Sequence, residues 1–363
     1  MYYIGIMSGT SLDGVDAVLV NFTASVFSLI DSCYVPYDSS LRSALLNLSQ
    51  RGENELHRAA LLNNQLSGLY AEAVAQLLEK SGVTAAEVVA IGCHGQTVRH
   101  YPQPENMYSI QLVNGALLTE LTNITVVTDF RNRDIAAGGQ GAPLVPAFHQ
   151  AVFSHPKIHR LIVNIGGIAN ITSLPVESDV SGFDCGPGNM LMDAWCLKYT
   201  GERYDRGGLW AKTGRVIDHL LENLSGFSYF SLLPPKSTGR EIFDLDWLQS
   251  YLTGKEAAQD VQATLLQLTV QTIADSVRVH YSTARELYLC GGGAHNDFLV
   301  MRLRQELPDC QISLTDALGI NADWVEAFAF AWLARQTIDR APGNLPAVTG
   351  AAGERILGAI YPA

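Results

Sequence analysis

The stretch "GIMSGTSLDGVD", residues 5–16, lies between two apolar runs, Tyr2–Met7 and Val15–Val20. Two strands joined by a turn fit this layout. The turn is rich in glycine, hydroxyls and carboxylate. Glycine admits φ > 0 and lets a ligand approach the main chain closely. Successive amides in such a turn can converge on an anion. Ser8, Thr10 and Ser11 add hydroxyl donors, while Asp13 and Asp16 would repel a phosphate unless a cation stood between. Mg²⁺ is held in that way, by one or two carboxylates together with phosphate oxygens and water. Gly9, Thr10, Ser11, Leu12, Asp13, Gly14, Val15 and Asp16 therefore read as a phosphate-binding loop, with Asp13 and Asp16 as the candidate magnesium ligands. An ordinary hairpin turn uses the same residue types for conformational reasons, so this turn alone does not decide between the two.

Working outward, the same layout returns. "RLIVNIGGIANITSL" (160–174) is again an apolar strand, a Gly-Gly turn and a second strand. After the opening turn come strands over 17–22 and 26–37 and a helical pattern over 53–80 that stops at Gly82. Strands over 87–95, 108–114 and 124–130 follow, with a short helix at 115–121. In the second half, helices over 189–199, 259–281, 297–307 and 321–338 alternate with strands "ELYLCGGG" (286–293) and "CQISL" (310–314). Strands alternating with helices predict an α/β fold. Two halves with matching openings predict an internal duplication. The boundary falls near residue 150, giving domains over 1–150 and 151–363, with the tail 340–363 free to pack back on the first.

Bulk properties narrow the function. The 363 residues carry a net charge of -12, which argues against a nucleic-acid binder with a basic face. No apolar stretch reaches membrane-spanning length. The six cysteines are scattered without a CxxC pair and read as reduced thiols of a cytoplasmic protein. The nine histidines show no zinc spacing; in "HPKIH" (155–159) Pro156 argues against a helix that would align the pair.

Further glycine bends tip the balance toward a nucleotide. They lie at Gly166–Gly167, in "FDCGPGNMLMDAW" (183–195) and in "CGGGAHNDF" (290–298), each after a strand-like segment. Gly291, Gly292 and Gly293 lead through Asn296 and Asp297 into a helix whose N-cap is one of those two residues. Open backbone before a helix N-terminus suits a nucleotide's ribose or phosphates. The common nucleotide motifs fail: "GGLWAKTG" (207–214) has Ala211 where a P-loop needs glycine, and "GPGNML" has Leu191 at the third glycine of a Rossmann turn.

These motifs carry a resemblance. "MSGTSLDGVDAVLV", "GCHGQTVRH", "TDFRNRD", "GGQGAPLVPAFH", "NIGGIANIT", "FDCGPGNMLMD", "CGGGAHN" and "DWVEAFAFAWLA" resemble the anhydro-N-acetylmuramic acid kinases, within the sugar kinase, actin and heat-shock ATPase superfamily. The resemblance runs from residue 5 to about 360, and departs at Cys185, where threonine is expected. It implies two ribonuclease H-like (actin-like ATPase) domains with an inter-domain cleft, and a homodimer. It also implies ATP and Mg²⁺ as cofactors and 1,6-anhydro-N-acetylmuramic acid as substrate. Such an enzyme opens the 1,6 bridge with water and phosphorylates O6, giving N-acetylmuramic acid 6-phosphate for cell-wall recycling.

That chemistry needs a base for the water, and Asp184 in "GFDCGPG", beside glycines that leave room for substrate, is the candidate. Capping of the helix near Asn189 is its plain alternative. An arginine fork suits the lactyl carboxylate of the sugar, and Arg131, after a strand end, is placed for it. Glu326, inside an apolar helix, and His94, in "CHG", are the other substrate candidates; a helix-surface carboxylate and a structural histidine are the alternatives. Alternation argues against a Cys93–His94 nucleophilic pair, because adjacent strand residues point to opposite faces. Two other functions stay open here: an actin-like or chaperone-like ATPase, and a nucleotide-independent glycoside hydrolase. The second leaves the glycine bends unexplained.

Overall fold

The computed structural model describes residues 1–363 except Thr10, 24–25, 102–104, 235 and 240–241, and except the side chain of Val26. The chain forms two compact units, Met1–Phe148 with Trp324–Ala363, and His149–Asp323. Among the described residues no helix is long and apolar enough to cross a membrane.

In the first unit β1 (Tyr2–Ser8), β2 (Gly14–Thr23) and β3 (Val26–Pro36) form an antiparallel meander. β4 (Val88–Tyr101) runs parallel to β1, and carries the hairpin partner β5 (Tyr108–Leu112). β6 (Val126–Thr128) runs parallel to β4. The spine of this sheet is thus β3-β2-β1-β4-β6. The second unit repeats the plan. β7 (Arg160–Ile165), β8 (Ile168–Leu174) and β9 (Ser181–Pro187) form a meander, and β10 (Glu286–Cys290) and β11 (Gln311–Leu314) add in parallel. Its order, β9-β8-β7-β10-β11, is the same permutation. A meander of three strands followed by two parallel strands on the side of the first is the ribonuclease H-like sheet, and it occurs twice.

Strand alternation explains how each sheet is covered. Ile4, Ile6, Ile91 and Cys93 point into a core built with Leu62, Leu66, Tyr70 and Leu77 of the helix Glu55–Ser81. The opposite face of β1 and β4 presents Gly5 and Gly92. A Cβ at Gly5 would collide with the carbonyl oxygen of Ala327, and one at Gly92 with that of Phe330. The helix Val325–Ile338 therefore lies with its backbone almost against the sheet, and its small residues Ala327, Ala331 and Ala334 make the approach possible. Phe328 adds an edge contact with Phe22 at 5.8 Å.

Here the structure departs from the domain expectation. Division at 150 leaves 324–339 with the second half and lets only the tail 340–363 return, whereas all of Trp324–Ala363 belongs to the first unit. The cause is the glycine pair just described, together with β12 (Ala359–Tyr361), which pairs antiparallel with β6. Other differences are local. The helix Ser39–Ser49, absent from the sequence reading, is capped by Asp38, which accepts from the Leu41 amide at 2.7 Å. β4 continues to Tyr101 rather than ending at 95, and the last long helix begins at Val325 rather than 321.

Substituting Gly5→Ala is expected to destabilise the first unit by about 1–3 kcal/mol, the usual cost of forcing atoms into a closed contact. Urea unfolding measures it; an unchanged midpoint would show that the helix can back away freely.

Candidate active site

The opening turn of the first unit is fixed from below. Ser8, at the end of β1, is buried, and its hydroxyl shares a 3.0 Å hydrogen bond with the hydroxyl of Tyr70. The Gln96 amide donates to the Gly9 carbonyl at 3.0 Å. Leu12 is buried with φ 56°, an uncommon conformation for a branched side chain. Ser11 and Asp13 are exposed, and the Ser11 hydroxyl donates to the Asp13 carboxylate at 2.6 Å. That donor is neutral and adds no opposing charge to Asp13. Gly14, Val15 and Asp16 belong to β2 instead of the loop, and Asp16 sits in the ladder opposite Met7 and Tyr34. Thr10 lies outside the described residues. Among the described residues no group of three or more His, Cys, Asp or Glu side chains gathers as a metal cage. One or two carboxylates completed by phosphate oxygens, the arrangement Mg²⁺ uses, need no such cage.

Three candidates far apart in sequence meet in the first unit. Arg131 donates from Nε and Nη2 to the Nε2 atom of His94 at 3.1 and 2.8 Å, and from Nη1 to the Gly141 carbonyl at 2.7 Å. Two donors on Nε2 require it to be the unprotonated nitrogen, so His94 is neutral with its proton on Nδ1. Burial, and then the Arg131 charge, push its pKa well below 6.5. Its ring lies 4.6 Å from that of Phe330, on the helix that carries Glu326. Burial pushes the Glu326 carboxyl up, and Arg131 pulls it back. Arg131 in turn is lowered to about 10 by burial, with Glu326 and Asp134 opposing. Arg131 thus differs from the free fork expected of it. The Nε–Nη2 edge is occupied by His94, so a bidentate carboxylate would have to use another edge.

Asp134, from the same "TDFRNRD" segment, holds this corner together. Fully buried, it accepts from the Gly141 amide at 2.9 Å, from Asn344 at 2.6 Å and from Thr349 at 2.7 Å. A charged residue in a motif could have flagged it, but its partners 210 and 215 residues away are invisible in sequence.

In the second unit the glycine bends do converge. The Asn189 amide donates to the Gly166 carbonyl at 2.8 Å and the Gly188 amide to Gly167 at 2.9 Å. The Asn189 side chain donates to the Ile165 carbonyl at 3.1 Å. A Cβ on Gly293 would strike Ile165 and come within 3.0 Å of the Asn189 Oδ1. Gly291 has φ 78°, and a Cβ there would strike Asn164; Gly292 lies 3.8 Å from Asn189 by the same measure. Asn296, rather than Asp297, caps the helix Asp297–Glu306 by accepting from Leu299 at 3.0 Å. Gly208 packs against Asn296. The Gly207–Gly208 bend, which is no P-loop, therefore reaches the Asn296 cap, while Gly188–Asn189 links the bends at 166–167 and 291–293.

Asp184 sits on β9 opposite Asn170. Its carboxylate accepts from the Thr238 amide at 3.0 Å, its own amide donates to the Lys236 carbonyl at 3.1 Å, and its carbonyl accepts from the Tyr229 hydroxyl at 2.7 Å. It does not cap the helix Met190–Thr200, whose N-cap is Asn189. Cys185 points to the other face, buried, with its thiol pushed up to about 12 by burial. It is an inert core thiol in the place of the expected threonine.

The family model for anhydro-N-acetylmuramic acid kinase matches residues 1–363. The chain belongs to this family. A relative from Nitrosomonas europaea, called anhydro-N-acetylmuramic acid kinase, is 74% identical over 363 residues and the match covers 100% of each chain. One of the same name from Nitrosospira multiformis is 60% identical, over 100% of this chain and 99% of its own. A third, from Thiobacillus denitrificans, is 54% identical over 99% and 97%. Family membership agrees with both repeated ribonuclease H-like sheets and covers every bend described above.

A neutral buried histidine has a stability signature. His94 is held low and His149 is lowered to about 3, both by burial first. Their folded-state pKa lies below the unfolded value, so stability is full above pH 6.5 and is lost as pH falls below it, by up to about 1.4 kcal/mol per pH unit for each. His94→Gln keeps an acceptor for Arg131 and is expected to flatten that decline by one such share between neutral pH and about pH 5. Urea titrations at a series of pH values test this; an identical slope in both proteins would mean His94 is free to protonate.

Proposed function

We propose that this protein is an ATP-dependent kinase of 1,6-anhydro-N-acetylmuramic acid, acting in cell-wall recycling in the cytoplasm, as a homodimer. The whole-length family match supports the reaction. The observation that supports its residue assignment is the set of built features: three glycine bends gathered around Asn189 in the second unit, and in the first unit the Arg131–His94 contact together with the clamped opening turn.

In this reading water is deprotonated by Asp184 as its oxygen bonds to C1. The C1–O6 bond breaks, O6 takes the γ-phosphoryl group, and ADP leaves. The proton ends on the Asp184 carboxylate and returns to solvent. The Thr238 amide and the Tyr229 hydroxyl fix the orientation of Asp184, which is what a base needs more than reactivity. Phosphoryl transfer depends on positioning and charge neutralisation. The opening turn and the start of β2, residues 9–16, take that task for the phosphates. Magnesium, when bound, would supply the neutralising charge there; Asp13, exposed, and Asp16, on β2, would hold it. Gly166, Gly167, Gly291, Gly292, Gly293 and Asn296 receive the remainder of the nucleotide. His94, Arg131 and Glu326 contact the sugar. Because Arg131 already neutralises part of the Glu326 charge, Glu326 serves best as an acceptor for sugar hydroxyls.

Incubation with Mg·ATP, the anhydro sugar and heavy-oxygen water should give a phosphorylated, water-added product with the label on C1 and none in the phosphate. Label in the phosphate, or product without ATP, would reject the mechanism. Asp184→Asn should retain ATP binding while turnover falls about 10²–10⁴-fold, the usual share of a positioned base. Turnover near that of the unmodified protein would remove Asp184 from the role.

A further inference from the structure

The sequence motif "GCHGQTVRH" offers His94 to the site, yet its most deeply buried polar side chain has no assigned task. Gln96 is 0% exposed. Its amide nitrogen donates to the Gly9 carbonyl at 3.0 Å and also lies 3.4 Å from the Thr97 carbonyl. Its Oε1 accepts from the Tyr37 hydroxyl at 3.2 Å. A carbonyl on Gly9 and a hydroxyl on Tyr37 fix which end of the amide is nitrogen, since only the NH₂ can donate to a carbonyl.

Tyr37 closes a circuit. Its backbone N–H donates to the Asp13 carbonyl at 2.9 Å, and the Tyr34 hydroxyl donates to the same oxygen at 2.8 Å. The carbonyls at the two ends of the turn, Gly9 and Asp13, are therefore held by two residues that are bonded to each other. Burial pushes the Tyr37 phenol up to about 12, so it remains a donor at any working pH. Beneath them Ser8 and Tyr70 share their own bond, and Tyr70 reaches the Leu112 carbonyl at 3.4 Å. Between the clamped ends Leu12 is held at φ 56° with its side chain buried. A non-glycine residue at positive φ persists only where its surroundings over-determine it. The Gln96–Tyr37 pair is that surrounding. The Gly9 carbonyl, half-buried, also accepts from the Leu12 amide at 3.3 Å, so the Gln96 bond holds the oxygen on which the turn closes around Leu12.

We infer that Gln96, braced by Tyr37, is the positioning residue of the opening turn: it sets the turn shape that receives the nucleotide phosphates without touching the nucleotide. The inference rests on the proposed phosphate role of that turn. Gln96 is a positioning residue and not a catalytic one, so its effect belongs in nucleotide binding.

Three variants of the full-length protein decide it, with Mg·ADP binding by calorimetry and steady-state kinetics as readouts. Gln96→Met keeps the volume and removes both bonds; Gln96→Glu keeps the shape but cannot donate to Gly9. Both should raise the Kd for Mg·ADP and the KM for ATP about tenfold or more, with the KM for the sugar within about twofold. Tyr37→Phe should move the same constants in the same direction, by less. Asp13→Asn reports on the turn itself. If Asp13→Asn weakens Mg·ADP while both Gln96 variants bind it normally, the positioning inference is wrong and the phosphate reading stands. If none of them affects the nucleotide, the phosphate reading fails and the inference with it. Equal losses in the sugar and ATP constants for Tyr37→Phe, whose Gln96 donor is intact, would show a merely structural role and also overturn it.

Discussion

The closest constraint in the first unit is the meeting of two backbones. Gly5 on β1 and Gly92 on β4 bring the sheet against the carbonyls of Ala327 and Phe330, with no side chain between. Any larger residue at either glycine would force the helix Val325–Ile338 outward. The candidate site depends on that distance. Glu326 is the second residue of this helix, and His94 follows Gly92 on the same face of β4. Moving the helix out by the size of a methyl group would shift Glu326 relative to Arg131, whose charge it feels, and lift Phe330 off the His94 ring.

Charge inside this corner is balanced in a way that favours function over stability. Glu326 is raised by burial and Arg131 is lowered by it, so both charges lie in surroundings that resist them. A charge taken out of water is tolerated only where hydrogen bonds replace its hydration. Arg131 obtains those from His94 and Gly141, and Asp134 secures Gly141 in turn. Glu326, with a raised carboxyl and part of its surface open, keeps acceptor capacity for a ligand. Perturbed ionisable groups gathered at strand ends are the usual mark of a functional site.

The second unit solves its problem with main chain alone. Gly188, Gly291 and Gly293 allow segments from three places in the sequence to touch where side chains would collide, and Asn189 ties the Ile165–Gly166 bend to them with hydrogen bonds. Asp184 is held differently, by the segment around Tyr229, Lys236 and Thr238 that lies some fifty residues away along the chain. The burial of Cys185 next to it shows why the departure from threonine costs little: that side chain faces the core and not Asp184's side of the strand.

Local pattern was enough for much of this. The two strand–glycine–strand openings, 155 residues apart between Gly5 and Arg160, declare the duplication because period-2 alternation and glycine turns are written in neighbouring residues. Helix spacing was legible for the same reason, and even the missed helix Ser39–Ser49 carries an Asp38 cap and Leu41, Leu45 and Leu48 on one face. Tertiary structure decided which unit receives Trp324–Ala363, since that follows from glycines more than 300 residues upstream in the case of Gly5. It also decided that Arg131 faces His94, that Asp16 belongs to a strand, and that Gln96 and Tyr37 grip the opening turn. Those are contacts between side chains and backbones distant along the chain, and no local periodicity encodes which distant groups will meet.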